Sequence, residues 1–479
     1  MMKKIVSSIF LFSFVFALQT TSLSLVGHSQ VDNLPLLYLS KNRIPQNLTS
    51  KFLSNIRYTH SNKNNNLLFV SNIFFNDQEV QLFEFGLKYN FKSTEFILGM
   101  IDDKDYDSLA INEHIIFGKN HEPLRRITIK SSEYLPLPWG NDNSFWDRIL
   151  FSYDFTNGVL DKDYKYLWDD YYWQEAKEVY YSKEPRLHYK KLQFKIKIAE
   201  STDFELGLNH AAIWGGTVVN ITNDTTKTFP NDLKSLHKVI FWQTGTTEYD
   251  RNEVTGGVIG NHLGSIDFAV INKSRSIDIK YYYQHIFEDG GSFWFDNTFD
   301  GLWGINIKNK NHNARIRELT IEFLNTKFQS GNIHPNGVDS YFWHDQYPAG
   351  WQYEGVSMGS LFISPNQNRS KILFISSKMK LNENVDLLMH AGLGKIYHYY
   401  GYKGWDVEVE TLFSENYNGK YKSAYLSMKR KLKNNSKIEI NLIFEESLKT
   451  SYNPALEKKI STELTEFLNI KYSKNISFN

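Results

Sequence analysis

The chain has 479 residues, and its 54 basic and 53 acidic side chains leave a formal net charge of +1. This balance supplies no global positive field, which argues against a nucleic-acid partner. No cysteine is present, and this excludes a disulfide scaffold, a thiolate metal site and a Cys-linked lipid anchor.

The contrast between aromatic content and polarity narrows the fold class. Aromatic residues make up 15% of the chain, yet the mean hydropathy is -0.45. A soluble protein this rich in rings would bury them and be less polar, whereas a membrane barrel turns rings toward lipid and charges toward a wet lumen. A large secreted β-sandwich enzyme gives similar numbers and stays open as an alternative.

The beginning of the chain predicts a secretory signal peptide. Two lysines precede an apolar stretch at residues 5–18, and small residues follow as far as Ser29. The stretch is shorter than the roughly 20 residues that a membrane-spanning helix needs. We therefore expect residues 1–29 to be removed during export to a Gram-negative envelope, so that the mature chain, residues 30–479, begins near Gln30.

The mature chain predicts a single domain. No internal repeat, Pro-rich linker or charge run divides residues 30–479. Residues 31–55 lack a regular pattern, so we expect them to form a short N-terminal periplasmic segment below the main unit.

Alternation of apolar and polar residues predicts many antiparallel β-strands. Leu192, Phe194 and Ile196 alternate with Lys195 and Lys197. The same period of two recurs at residues 83–89, 204–209, 266–270, 277–283, 406–410 and 438–444. This pattern gives roughly 16 to 22 strands, most near the 9 to 11 residues of a tilted membrane strand. Lysines on the inner face need water, although a sandwich also has one polar face per strand. The number and length of the strands favour an all-β, transmembrane antiparallel β-barrel over a sandwich.

The lengths of the connections agree in part with an outer-membrane barrel, which has short periplasmic turns and longer extracellular loops. Counting backward from a C-terminal strand that ends in the periplasm, the longest connections after residue 200 fall on the outer side, at 215–234, 285–299 and 325–354. A short outer turn near His262 departs from that pattern.

Several segments resemble the capsule assembly protein Wzi family. Residues 204–216 (FELGLNHAAIWGG) look like the family's strand and Trp-Gly-Gly turn, and they follow RLHYKKLQFKIKI at residues 186–198. FPNDLKSLHKVIF at 229–241 and GNHLGSIDFAV at 260–270 come next, in the family's order and spacing.

Three further segments, at residues 109–127, 281–305 and 321–332, are similar to the Bacteroidetes branch of that family. The resemblance covers most of residues 100–350. It implies a barrel of about eighteen strands with minor helical elements on the periplasmic side and loops that close the mouth. It also implies a role in holding capsular or other surface polysaccharide at the outer membrane.

The predicted outer loops contain residue types that suit sugars. Flat aromatic faces stack on the CH sides of pyranose rings, and polar side chains bind the hydroxyls. We expect polysaccharide contacts from Trp214, Glu288, Asp289, Phe293, Trp294, Asp296, Trp343, His344 and Trp351. Two structural alternatives stay open: the rings form an interfacial belt or a loop plug, and Trp214 with its two following glycines serves a tight turn.

The sequence gives little support for catalysis. Asp169 and Asp170 are adjacent, which in a strand sends them to opposite faces. GVSMG at 355–359 matches GxSxG but lacks the strand before it and the helix after it. No metal-ligand spacing relates the scattered histidines, which include His210, His237, His262 and His285. We expect no enzymatic activity, no cofactor and no metal.

The sequence therefore predicts a monomeric protein of the outer membrane, in contact with its lipid, that retains capsular or other surface polysaccharide. A general or glycan-specific porin using the same barrel as a channel is the alternative. A secreted, β-rich glycan hydrolase is the third hypothesis.

Overall fold

The computed structural model of the chain describes part of its length. The described residues are 20–29, 52–62, 64–103, 108–112, 114–118, 120–138, 145–160, 164–168, 178–220, 224–243, 258–288, 290–297, 299–311, 313–329, 341–344, 347, 350–353, 356–364, 368–397, 419–453 and 456–478.

Eighteen antiparallel strands form a closed barrel. They are β1 (Thr20–Ser29), β2 (Phe52–Ser61), β3 (Leu67–Phe75), β4 (Val80–Phe91), β5 (Thr94–Met100), β6 (Arg125–Ser131), β8 (Ile149–Val159), β11 (Arg186–Ala199), β12 (Thr202–Trp214), β15 (Asn261–Lys273), β16 (Ile277–Phe287), β17 (Gly301–Asn309), β18 (Ile316–Asn325), β21 (Arg369–Asn382), β22 (Val385–Tyr397), β23 (Gly419–Lys431), β24 (Ser436–Asn453) and β25 (Leu456–Phe478).

Short elements complete the described fold. They are β7 (Leu135–Pro136), β9 (Tyr164–Trp168), β10 (Glu178–Lys183), β13 (Thr217–Asn220), β14 (Thr225–Thr228), β19 (Gln352–Tyr353), β20 (Val356–Ser357), a 3₁₀ turn (Phe145–Arg148), helix α1 (Leu233–Ile240) and helix α2 (Gly290–Phe293). Four of these strands form a small sheet in the order β14-β13-β10-β9, and β19 pairs with β20.

The first strand closes the barrel. β1 pairs with β2 on one side and with the last strand, β25, on the other. Closure satisfies the backbone groups that the edges of an open sheet would leave bare. The predicted signal-peptide boundary after Ser29 would remove β1 from the mature chain, and that boundary stays a prediction.

The predicted alternation is confirmed in the strands. In β12, Leu206 and Leu208 face outward and are exposed, whereas Glu205 and Asn209 face inward and are buried. The outer surface carries a band of exposed apolar side chains, including Leu25, Ile56, Phe85, Leu98, Ile127, Leu192, Leu373, Ile375, Leu393, Leu426, Leu442, Phe444, Leu468 and Ile470. An apolar exterior of this kind is typical of a membrane β-barrel.

Ion pairs satisfy charges on the inner wall. Glu205 of β12 accepts from Lys195 of the adjacent strand β11 at 3.0 Å and from Lys280 of β16, two strands away, at 2.9 Å. Elsewhere on the inner wall Arg57 pairs with the buried Glu84 at 2.8 Å. The inner face is therefore polar, as the alternating lysines of β11 predict.

The long connections between strands lie at one end of the barrel, and most of the short ones lie at the other end. The chain ends with β25 at one end, here called the turn end, where residues 92–93, 200–201, 274–276 and 383–384 join strands. The opposite end, the loop end, carries the connections 101–124, 160–185, 215–260, 288–300 and 326–368. The expected short outer turn near His262 is wrong, because β15 already begins at Asn261.

The helices of the described residues lie mainly at the loop end. Both α1 and α2 are in loop-end connections, and in the same described ranges the 3₁₀ turn at Phe145–Arg148 is the helical element at the turn end, where the resemblance implied helical elements. None of the helices in the described residues is long and apolar enough to cross a membrane. Of the expected periplasmic segment, residues 31–51 lie outside the described residues and residues 52–55 belong to β2.

Candidate functional site

Two loop-end connections meet inside the mouth of the barrel. The connection 101–124 and the later part of the connection 326–368 exchange backbone hydrogen bonds: Gly118 N–H donates to Met358 at 2.7 Å, and Ser360 N–H donates to Ile115 at 2.9 Å. The indole N–H of Trp351 donates to the Ile116 carbonyl. These two connections together are called the plug below.

The plug is tied to the inner wall by buried polar groups. Glu322 of β18 is 1% exposed and accepts the backbone N–H of Ile111 at 2.5 Å. The Tyr282 hydroxyl donates to the same carboxylate at 3.1 Å, and Gln284 accepts the N–H of Ile115 at 2.8 Å. Wall side chains thus satisfy plug N–H groups that would otherwise be buried without partners.

An apolar core fills the space between the plug and the wall. Plug and inner-wall side chains form one buried cluster, which includes Leu53, Phe74, Ile111, Ile115, Leu187, Ile213, Leu263, Ile286, Leu302, Leu324, Tyr341, Phe342, Trp351, Met358, Phe362, Phe374 and Tyr421. A cluster of this size excludes water from the mouth, because packed apolar side chains leave few voids larger than a water molecule. The described part of the loop end is therefore closed.

The lumen below the plug is polar. A cavity of about 220 Å³ lies there, lined on the inner wall by Lys191, Glu205, Asp267, Lys280, Asn306 and Glu318. Asp267 accepts from Asn209 at 2.7 Å and from Ser265 at 2.8 Å. The charged and amide side chains of this cavity can bind water, in contrast to the apolar core of the plug.

The outer wall near the loop end is covered by the chain itself. His188, His210 and His262 face outward from β11, β12 and β15, and His210 Nε2 lies 2.8 Å from His262 Nδ1. Trp242, just after α1, lies over both of these rings, with centroids 5.7 and 6.0 Å away. The Lys190 ammonium donates to the last carbonyl of α1, at Ile240. Helix α1 therefore shields polar wall residues that lipid could not solvate.

A second covering segment follows α2. The Phe295 ring stacks on His285 at a centroid distance of 4.0 Å, and Phe293 meets Phe287 edge-on at 5.2 Å. His285 Nε2 is satisfied by the Ser292 carbonyl at 2.7 Å. Together with α1, this segment extends the aromatic surface of the outer wall at the loop end.

The candidate sugar-contacting residues of the 288–300 connection divide between two surfaces. Phe293 and Trp294 lie on the outer wall, where Trp294 is 76% exposed. Asp296 follows them in the same turn and is half-buried. Glu288 instead accepts the backbone N–H of Phe342 at 2.5 Å and so holds the plug. Asp289 lies outside the described residues.

The candidates of the 326–368 connection are largely internal. Trp351 is fully buried and His344 is 5% exposed, while Trp343 is half-buried. Ser357, in the GxSxG match, is buried in the two-residue strand β20. A structural role in the plug is the simplest account of the buried residues, and a glycan contact at any of the candidates stays a prediction.

Trp214 marks a kink between two strands. Gly215 and Gly216 follow it with φ of 63° and 76°, and they join β12 of the barrel to β13 of the small sheet. A Cβ on Gly216 would lie 2.8 Å from the carbonyl oxygen of Lys183, so both φ and space require glycine here. The Trp-Gly-Gly segment changes the direction of the chain without reversing it, and Trp214 itself is 2% exposed.

A cleft that sequence reasoning missed lies at this kink. The neighbouring segment of the chain bends at Glu184 and Pro185, between β10 and β11. Lys183 on one side of this bend pairs with Thr217, and Arg186 on the other side pairs with Trp214. The resulting cleft, called the kink cleft below, has a volume of about 430 Å³ and is lined by Val159, Lys183, Glu184, Arg186, Gly216, Thr217 and Asn231. The sequence feature that could have indicated this cleft is Arg186 at the start of the alternating strand β11, which pairs with Trp214 just before the two glycines.

A buried carboxyl joins two loop-end connections. Asp300, just before β17, accepts the N–H groups of Gln329 at 2.7 Å and Phe328 at 3.1 Å, and the hydroxyl of Tyr341 at 3.1 Å. Burial raises the pKa of Asp300 to about 6, although these hydrogen bonds oppose the rise. Within the described ranges, no group of three or more His, Cys, Asp or Glu residues could hold a metal ion.

Comparisons with known proteins agree with this architecture. The sequence profile of the capsule assembly protein Wzi family matches residues 52–377. No curated protein matches the chain. Among solved structures, the chain is similar to Wzi of Escherichia coli, an outer membrane protein involved in group 1 capsule assembly and described as a carbohydrate-binding β-barrel, with 12% identity, a TM-score of 0.56, and coverage of 98% of this chain and 86% of that one.

Two outer-membrane proteins of Pseudomonas aeruginosa are more distant. OccK3 has 7% identity and a TM-score of 0.45, with coverage of 96% of this chain and 95% of that one. OccK5 has 6% identity and a TM-score of 0.44, with coverage of 96% and 98%. The likeness to Wzi of Escherichia coli supports the barrel fold.

Proposed function

Because this chain belongs to the capsule assembly protein Wzi family, we propose that it retains capsular or another surface polysaccharide on the outside of the outer membrane. The protein is an outer-membrane β-barrel with an apolar exterior. The family match and the barrel together support a role at the cell surface.

The filled mouth is the observation that carries the proposal. The plug buries large side chains such as Trp351, Tyr341 and Phe342, each with 0% exposure, where a channel would need a wet path. In the described part of the chain, this packing argues against an open path for solutes, and the long connections at the same end offer a surface to a polymer. The alternative of a general or glycan-specific porin is the less favoured reading for this reason.

We assign the protein a binding role and no catalytic one. A glycan hydrolase needs two carboxyls converging on one cleft. In the kink cleft, Glu184 lines the same cavity as Lys183 and Arg186, and in the lumen Glu205 and Asp267 are engaged by lysines and an amide. Among the described residues, such groups suit the binding of a sugar.

Binding by the purified barrel tests the proposal. The protein in lipid nanodiscs should bind polysaccharide isolated from the surface of its own strain, and an unrelated plugged barrel should not. Planar-bilayer recordings on the same preparation should give almost no conductance. Steady conductance without polysaccharide binding would favour the porin.

A further inference from the structure

The kink cleft is rigidly framed by backbone. Leu160 N–H donates to the Pro185 carbonyl at 2.8 Å, and Phe229 N–H donates to Gly216 at 2.9 Å. The Tyr347 hydroxyl of the plug donates to Gly215 at 3.2 Å. These bonds hold both bends of the chain, at Glu184–Pro185 and at Gly215–Gly216. The shape of the cleft is therefore set before any ligand binds.

Arg186 is the cation that this frame orients. Its guanidinium lies over the Trp214 ring at 5.3 Å, and Trp214 in turn packs with Leu236, Val239 and Ile259. A guanidinium held over a ring in this way keeps N–H donors available for hydrogen bonds to a ligand. Among the residues that the structure describes, no carboxylate pairs with Arg186.

The charge and polarity of the cleft suit an anionic sugar. Lys183 and Glu184 are the other charged lining residues among those that the structure describes, and Thr217 and Asn231 provide hydroxyl and amide groups for hydrogen bonds to sugar hydroxyls. The volume of about 430 Å³ falls in the range of small-ligand sites. An arginine fork binds a carboxylate through two parallel hydrogen bonds, which a neutral sugar cannot accept with equal strength.

We infer that the kink cleft binds an acidic residue of a surface polysaccharide, with Arg186 taking its carboxylate. This inference rests on the proposed function and deepens it, because it assigns a charge class to the polymer and a place to the contact. Trp214 then acts as a positioning residue: it holds the guanidinium from beneath and does not stack on the sugar.

Calorimetry with defined oligosaccharides tests the inference. The probes are trigalacturonate and its methyl ester, which differ in charge but not in the sugar backbone. The folded barrel should bind trigalacturonate at least tenfold more tightly than the ester, with an affinity that falls as salt rises. Arg186→Gln should remove most of that preference, and Lys183→Gln should reduce it.

A matched control lies at the other end of the barrel. Arg275 is exposed in the turn 274–276, so Arg275→Gln removes the same charge without touching the cleft and should bind as the wild type does. Arg186→Lys keeps the charge but loses the fork, and it should bind with intermediate affinity. Heat-modifiable migration on gels establishes that each variant is folded.

Three results would overturn the inference. The first is equal affinity of the wild type for trigalacturonate and its methyl ester, and the second is unchanged affinity of folded Arg186→Gln for trigalacturonate. The third is binding of glucose 6-phosphate without binding of trigalacturonate, which would assign the cleft to a phosphorylated ligand such as a lipid headgroup. Each result leaves the proposed function standing, because that function is tested separately, by binding of the strain's own polysaccharide and by its release from a deletion strain.

Discussion

Gly27 of β1 pairs with Tyr472 of β25, and on its other side it pairs with Ser54 of β2. The ten residues of β1 therefore supply backbone partners to the first and last parts of the remaining sheet. Without them β2 and β25 would each present an unpaired edge to lipid, where every unsatisfied backbone group costs several kcal/mol.

The mature protein is expected to keep this strand. A signal peptide ending at Ser29, the boundary that the sequence predicts, would remove β1, whereas the pairing of β1 with β2 and β25 predicts instead a cleavage point before Thr20. Intact-mass measurement of protein purified from outer membranes decides the matter. A mature chain starting at Gln30 would contradict the pairing and would require β2 to pair directly with β25.

The two ends of the barrel should differ in accessibility. Because the natural chain has no cysteine, single-cysteine variants have a clean background. Thr226→Cys, in the exposed strand β14, should react with a membrane-impermeant maleimide on intact cells. Arg275→Cys, at the turn end, should react only after the outer membrane is permeabilised. The reverse pattern would mean that the long connections face the periplasm.

The plug should depend on Trp351. Its side chain is fully buried and its indole donates to Ile116, so Trp351→Ala should cost about 3 to 5 kcal/mol of local stability and leave a cavity in the mouth. We expect current fluctuations in planar bilayers where the wild type gives almost none. Trp294→Ala, a truncation of the same size at an exposed position, serves as the control. Similar traces from both variants would argue that the mouth is sealed elsewhere.

Asp300 should make stability depend on pH. Its pKa is raised from 3.8 to about 6 in the folded protein, so the folded state binds a proton more tightly than the unfolded state between these values. The contribution of Asp300 to the free energy of unfolding should be complete below about pH 4 and should be lost as pH rises through about 6, by about 3 kcal/mol at most.

Asp300→Asn isolates that effect. The amide cannot titrate, so the loss of unfolding temperature between pH 4.5 and 7.5 should be smaller in the variant than in the wild type. The measurement is the temperature of the heat-modifiable gel shift in detergent. An identical pH profile for the two proteins would show that Asp300 titrates normally.

Period-two patterns were enough to predict the barrel, because a lipid-facing wall and a wet lumen impose the same rule on every strand. The patterns did not predict the residue types of the outer wall where another segment of the chain covers it. Lys190 and His210 occupy outward positions that the rule reserves for apolar residues, since α1 and Trp242 lie over them. A strand pattern cannot reveal such a cover, because the covering segment comes from a connection.

The candidate site was less predictable for a related reason. Aromatic clusters such as Phe293 and Trp294, or Trp343 and Trp351, have the composition of a sugar-binding surface, but composition does not separate an exposed ring from a buried one. Arg186 acquires its place only through pairing with Trp214, which is distant in sequence. The glycines after Trp214 were recognised as a backbone requirement, and they are the part of the cleft that local chemistry could predict.

Release of polysaccharide from a deletion strain is the decisive measurement of whether the protein retains polysaccharide at the cell surface. After gentle centrifugation, polysaccharide in the cell pellet and in the medium is quantified for the wild type, the deletion strain, and the deletion strain complemented with the wild-type gene. The account predicts that the deletion strain makes a normal total amount but sheds most of it into the medium, and that complementation returns it to the pellet. Polysaccharide that stays with the pellet of the deletion strain would contradict the account.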